Sequence, residues 1–207
     1  MTVVLFDLGN VLIEVAGYRV LGEWLGEPDH EKVVEHWLAS PAVQLFERGA
    51  CTPEAFAAAI IAAYRLDLTA DAFLHVFASW PQGLSPGAAD LVDAVSRRAT
   101  TACLSNSNVI HWNGQRDHDR IRGLFAYAFS SHEIGHVKPD RAAFAHVIDA
   151  LGVPPDEVVF LDDAASNVAA ASSMGMRAHR VVGVDQARSV LTALGLVSPT
   201  LSQSARR

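Results

Sequence analysis

The sequence predicts a doubly wound α/β fold, with a parallel sheet of about five strands and a block of helices inserted after the first. Three observations predict it. Val3 to Phe6 is an unbroken apolar run that meets a single carboxylate, Asp7, and a short run without alternation reads as a strand buried on both faces. Residues 16–80 carry helical periodicity and little strand signal. From Ser85 onward, short apolar runs alternate with helical stretches, the pattern of a parallel sheet with helices on both faces.

Each element has its own justification. An ionised aspartate is costly to bury, so Asp7 belongs where the first strand ends and the sheet opens into a crevice. In the inserted block, Val20, Leu21, Trp24 and Leu25 share one helical face, and Val33, Val34, Trp37 and Leu38 repeat the pattern after Pro28. Thr52-Pro53-Glu54 is a helix start, with a hydroxyl cap, a proline at the first helical position and an acid near the positive end of the dipole. Thr69 and Asp71 open a further helix with Phe73, Val76 and Phe77 as its stripe. Beyond it, a helix from Ser85-Pro86 runs to about Arg98 and a second strand spans Thr101 to Leu104, ending at Ser105-Asn106. A polar stretch leads to a third strand, Phe125 to Phe129. A helix from Asp140 to Leu151 is closed by Gly152. A fourth strand, Val158 to Leu161, ends at Asp162-Asp163. A helix to about Met174, a fifth strand from Ala178 to Val182 and a last helix from Gln186 to Leu194 complete the pattern.

Right-handed crossovers put the carboxyl ends of parallel strands on one edge. Asp7, Ser105 and Asp162-Asp163 should therefore converge, as in a Rossmann-like sheet. The expected division is an α/β core over 1–15 and 84–197, an α-helical cap over 16–83 and a mobile tail over 198–207.

Composition narrows the function. A hydrophobic half and a charged fraction of 19% suit a packed core. The net charge of −7 argues against nucleic acid or an anionic membrane as partner. Two cysteines, Cys51 and Cys103, make no disulfide framework. The longest apolar stretch, Ala55 to Tyr64, is too short to span a bilayer, and no basic segment precedes the first apolar run. A cytoplasmic protein, monomer or homodimer, is expected.

Two or three carboxylates at one sheet edge repel unless a cation joins them, and oxygen ligands suit Mg²⁺. Such a cation would also let an acidic protein take an anionic substrate. Ser105 and Asn106 stand where a following helix could begin, a place for anion oxygens, and Lys138 is a point charge able to contact both Asp7 and substrate. An aspartate that attacks phosphorus forms an acyl phosphate and divides one hard displacement into two.

In this order FDLGNVL, LSNSN, VKPD and FLDD resemble the four motifs of the haloacid dehalogenase superfamily. The inserted helices are similar to its first type of cap. LFERG at residues 45–49 looks like cap sequence of the subgroup holding bacterial α-D-glucose-1-phosphate phosphatases and the N-terminal phosphatase domain of soluble epoxide hydrolases. The resemblance implies Asp7 as nucleophile and metal ligand, the Gly9 carbonyl and Asp163 as further ligands of Mg²⁺, and Asp162 beside the metal or joined to it through water. It implies Ser105, Asn106 and Lys138 as phosphate-binding groups, with Lys138 bridging to Asp7, and Glu47 and Arg48 as cap residues reaching the substrate. The implied reaction is phosphomonoester hydrolysis of a small phosphorylated metabolite, a sugar phosphate first. A 2-haloacid dehalogenase and a nearly silent phospholigand-binding protein are the alternatives.

One position departs from the pattern. Most phosphatases of the superfamily carry a second Asp two residues after the first, as general acid; here that residue is Gly9. Its loss, worth about 10²–10⁴-fold, would favour substrates with good leaving groups. His111 and Glu14 are sequence candidates for a substitute proton donor.

Overall fold

The computed structural model describes residues 1–114 and 118–199; of the expected tail, 200–207 lie outside the described residues. The chain opens with β1 (Val3–Phe6) and β2 (Ile13–Val15). Five helices follow: α1 (Gly17–Leu25), α2 (His30–Leu38), α3 (Pro41–Glu47), α4 (Pro53–Tyr64) and α5 (Ala70–Ala78). Then come β3 (Pro81–Leu84), α6 (Ala88–Ser96), β4 (Thr100–Ser105), α7 (Val109–Gly114), α8 (His118–Gly123), β5 (Tyr127–Ser130) and α9 (Ser131–Ile134). The chain closes through α10 (Arg141–Leu151), β6 (Val158–Asp162), α11 (Ala165–Ser173), β7 (Arg177–Arg180) and α12 (Gly183–Ala193).

Five strands form one parallel sheet in the order β5-β4-β1-β6-β7. β1 is central: Phe6 pairs with Cys103 of β4 on one side and Leu161 of β6 on the other. The chain thus winds to one side of β1 and then to the other, which places a crevice beyond the carboxyl end of β1. Both faces of β1 are buried, and its side chains alternate between two cores. Val4 and Phe6 pack with Leu91, Val95 and Leu191 of α6 and α12, while Val3 and Leu5 pack with Phe144, Val147 and Ala171 of α10 and α11. This double burial is why β1 is apolar without alternation.

α1–α5 enclose a third core built on Leu21, Trp37, Phe46, Phe56, Phe73 and Phe77. The caps read from the sequence are present: Thr52 Oγ1 accepts from the Ala55 N–H and Thr69 Oγ1 from the Ala72 N–H, both at 3.2 Å. β2 and β3 pair antiparallel at the root of this block. Neither is foreseen in the sequence. Each is three or four residues long, and β3 contains Pro81 and Gly83, residues that weigh against a strand. α7 and α8 likewise occupy the stretch read as a polar connection, being a turn or two each.

Candidate active site

Asp7 follows β1 directly, and its backbone N–H donates to the Leu161 carbonyl at 2.8 Å, continuing the β1–β6 ladder by one residue. Ser105 ends β4, Asp162 ends β6 and Asp163 comes next. Lys138 enters from the loop between α9 and α10. Its ammonium, buried, donates to Asp7 Oδ1 and Asp162 Oδ2, each at 2.7 Å.

The loop carrying Lys138 is fixed by its neighbours. Asn106 Nδ2 donates to the Lys138 carbonyl at 2.9 Å, and Asn106 Oδ1 accepts from the Lys138 N–H at 2.8 Å. Ser131 and Ser107 repeat this exchange one step away, side-chain hydroxyl against backbone, at 2.9 Å in both directions. Both ends of the Asn106 amide thus hold Lys138, while Ser105 lines the cavity above Asp7.

Asp162 is fully buried. Its Oδ1 accepts from the Ala164 N–H at 2.8 Å and Asn167 Nδ2 at 3.0 Å, and its Oδ2 from Asn167 at 3.1 Å as well as from Lys138. Asp163 Oδ2 accepts from Asn10 Nδ2 at 3.0 Å, and Asn10 sits in the left-handed region at φ 54°, which asparagine tolerates.

Oxygens of Asp7, Asp162 and Asp163 lie within 4.8 Å of one another. Three carboxylates thus face one ammonium. Burial pushes the Asp7 carboxyl up to about 7; Lys138 pulls it down and Asp162 pushes it further up. Burial alone would lower the Lys138 ammonium, but Asp7 and Asp162 hold it above its ordinary value, so it stays charged. Burial also raises Asp163, with Asn10 opposing.

A hard divalent cation suits this donor set and would correct its excess of negative charge. Asp7 and Asp163 each keep one oxygen without a hydrogen bond from a described residue. Both oxygens of Asp162 are used in holding Lys138, Asn167 and the start of α11.

Asp7, Asp163 and Lys138 form the floor of a cavity of about 940 Å³ that also takes in Gly9, Tyr18, Glu47, Arg48 and Ser105. The helical block supplies an aromatic wall from Trp37, Phe46, Phe77 and Trp80. Glu47 closes α3 and is half-buried; Arg48 donates to Asp140 Oδ2 at 2.7 Å, and both line the cavity. His111 reaches the cavity with both ring nitrogens engaged, Nδ1 with Asn108 Nδ2 at 3.2 Å and Nε2 with the Phe77 carbonyl at 2.7 Å. Burial lowers it to about 4. Glu14 is exposed and does not line the cavity.

Sequence reasoning missed Asn167 and Ser131. Asn167 lies five residues beyond Asp162, on the first turn of α11 facing back over the strand end. Its only signal is an Asn in a helix otherwise built of Ala, Ser and a single Val.

A sequence model of the haloacid dehalogenase-like hydrolases matches residues 1–175. Bifunctional epoxide hydrolase 2 of Rattus norvegicus is 32% identical over 88 residues, covering 40% of this chain and 16% of that protein. Drimenol cyclase drtB of Aspergillus calidoustus is 39% identical over 69 residues, covering 33% of this chain and 13% of its own length. The chain thus spans less than a fifth of either relative. Among solved structures, a predicted HAD-like family hydrolase from Porphyromonas gingivalis superposes with TM-score 0.74 at 22% identity, covering 94% of this chain and 97% of its own. A HAD family enzyme from Bacteroides thetaiotaomicron, in complex with magnesium and inorganic phosphate, gives 0.71 at 21% identity and full coverage of both chains. L-2-haloacid dehalogenase from Xanthobacter autotrophicus, with chloropropionic acid covalently bound, gives 0.61 at 20% identity over 96% of this chain and 85% of its own. At these identities the likeness is one of fold. With the family model spanning both the β1 and β6 ends of the cluster, the chain belongs to the haloacid dehalogenase-like hydrolases.

Proposed function

We propose that the protein is a Mg²⁺-dependent phosphatase acting on a small phosphorylated metabolite, a sugar phosphate first, through an aspartyl phosphate on Asp7. The observation that carries this reading is the charge count at the β1–β6 edge. Three clustered carboxylates face one ammonium, an arrangement that calls for a dication and then for a dianionic substrate. A haloacid is a monoanion whose displacement needs no metal, and it would meet the same acidic floor uncompensated.

In this reading Asp7, the Gly9 carbonyl and Asp163 would hold Mg²⁺, which would neutralise phosphoryl charge when bound. Asp7 presents its carboxylate to phosphorus. Lys138 keeps Asp7 oriented and stabilises charge on the phosphoryl oxygens. The Ser105 hydroxyl and the backbone N–H of Asn106 bind those oxygens. Asn106 acts by fixing Lys138, and Asp162 by anchoring it. The α1–α5 block acts as the cap, and its aromatic wall excludes water from the reaction.

The test is hydrolysis of p-nitrophenyl phosphate. Turnover that is lost to EDTA, restored by Mg²⁺ and abolished in Asp7→Asn is the expected result. EDTA-insensitive halide release from 2-chloropropionate, with no phosphate release, would overturn it in favour of a dehalogenase.

A further inference from the structure

The phosphatase reading leaves the leaving oxygen without a proton source, because Gly9 has no side chain to supply one. In-line displacement puts that oxygen on the far side of phosphorus from Asp7. The donor should therefore come from the part of the cavity that α1–α5 contribute. Glu14 is outside the cavity, and the His111 nitrogens are committed to Asn108 and the Phe77 carbonyl.

Glu47 is placed differently. It is the last residue of α3, half-buried, and lines the same cavity as Asp7 and Lys138. No described residue donates a hydrogen bond to its carboxylate. The next two residues fix where it stands. Arg48 pairs with Asp140, two residues beyond Lys138. Gly49, at φ +66°, lies so close to the core that an added Cβ would meet the His132 carbonyl oxygen at 2.5 Å. The end of α3 is thus pinned to the segment that delivers Lys138, with the Glu47 carboxyl in the lining of the shared cavity.

We infer that Glu47 is the general acid of the first half-reaction and the general base of the second. As Asp7 forms its bond to phosphorus, the P–O bond to the leaving group breaks and the Glu47 proton passes to the departing oxygen. This yields the free alcohol, the aspartyl phosphate and a Glu47 carboxylate. Water then attacks phosphorus and gives one proton to Glu47. The bond to Asp7 breaks, and inorganic phosphate leaves with both carboxyls in their starting states. Burial pushes the Glu47 carboxyl up to about 7, partly offset by Lys138 and Arg48, with Asp7 adding to the rise. A donor and acceptor near neutral pH is what both steps require. Tyr18 also faces Glu47, but burial and the acids around it raise its hydroxyl well above the usual range. Glu47 as donor relieves the restriction to good leaving groups that Gly9 alone would impose.

The inference rests on the phosphatase reading, and the test separates the two. Wild type, Glu47→Gln and Tyr18→Phe are assayed with Mg²⁺ on p-nitrophenyl phosphate, whose leaving group departs without a proton, and on phenyl phosphate, a near-isostere whose leaving group needs one. Absence of turnover by wild type on both refutes the phosphatase reading itself. Given turnover, Glu47→Gln should keep kcat/KM, which reports the steps up to departure of the leaving group, within about tenfold on p-nitrophenyl phosphate and lose about 10²-fold or more on phenyl phosphate, while kcat falls on both because hydrolysis of the aspartyl phosphate loses its base. The alkaline limb of the wild-type phenyl phosphate pH profile, near 7, should vanish with it. Equal losses of kcat/KM on both substrates, no loss of kcat/KM on phenyl phosphate, or the substrate-dependent loss in Tyr18→Phe instead would overturn the assignment. If Glu47→Gln melts early, Glu47→Ala with added acetate carries the test: acetate should restore kcat/KM on phenyl phosphate selectively, and no rescue would overturn it.

Discussion

Lys138→Met offers the sharpest test of how the site is held together. The side chain is about as long as lysine and apolar, so it fills the same channel without the charge. The ammonium is 1% exposed and makes two 2.7 Å contacts, to Asp7 and to a fully buried Asp162. Breaking a buried ion pair by removing one partner costs about 3–5 kcal/mol, because the remaining charge is left uncompensated. Here two carboxylates lose their shared cation, so the loss should lie in that range at pH 8 in EDTA. Acidification should narrow it. A carboxyl whose folded value lies above its unfolded one adds stability as pH falls through the folded value. Wild-type Asp7, at about 7, gains in this way from pH 7 downward. In the variant Asp7 lies higher still, so its gain starts at a higher pH. Between pH 8 and pH 5.5 the gap between the two proteins should close by about 1 kcal/mol or more. Urea unfolding at the two pH values measures both quantities. A loss under about 1 kcal/mol, or one that is the same at both pH values, would refute the argument that Lys138 balances buried charge.

Three further outcomes follow from other contacts. Arg48→Ala removes a partly exposed pair with Asp140, so thermal unfolding should change by less than about 1 kcal/mol while kcat/KM falls about tenfold as the end of α3 loosens over the site. Gly49→Ala meets both a positive φ and the His132 carbonyl at 2.5 Å; a loss of about 1–3 kcal/mol is expected in urea unfolding. His111 is held neutral, at about 4 against 6.5 unfolded, so the unfolded chain binds more protons between those values and stability falls as pH drops. Relative to His111→Gln, wild type should lose about 2 kcal/mol between pH 8 and pH 5, since the raised carboxyls act in the opposite sense and are common to both proteins.

The sheet and the floor of the site are legible in the sequence because their signals are short-range. β1 and β6 are apolar runs that stop at a carboxylate, and parallel winding alone brings those stops together. The supporting contacts are not legible, because they depend on where backbone turns end. Asn167 reaches Asp162 only once α11 begins at Ala165, and Asn106 grips Lys138 only once the loops after β4 and β5 lie side by side. The division of labour between Asp162 and Asp163 is hidden for the same reason. Two adjacent acids read alike, yet one is turned inward to Lys138 and the other outward to Asn10 and the cavity. β2 and β3 escape notice because two paired strands of three and four residues carry too few positions for a pattern.

Gly9 is best understood through charge rather than space. A Cβ there would meet nothing closer than Val15 Cγ2 at 3.7 Å and Asp7 Oδ2 at 4.0 Å, so sterics do not demand glycine. An aspartate at that position would add a fourth carboxylate to a cluster in which three already oppose one ammonium. It would raise Asp7 further above about 7 and so reduce the fraction able to attack. An acid carried by α3 lies outside the three-carboxylate cluster, although Asp7 still adds to its rise. Glu47 sits with Arg48 beside it and Lys138 pulling against its rise, and it belongs to an element that packs on the core through α9 rather than through β1. Separating the nucleophile from the proton donor in this way gives each carboxyl its own surroundings: Asp7 in a 2.7 Å contact with the Lys138 ammonium, Glu47 at the end of α3 without a hydrogen bond from a described residue.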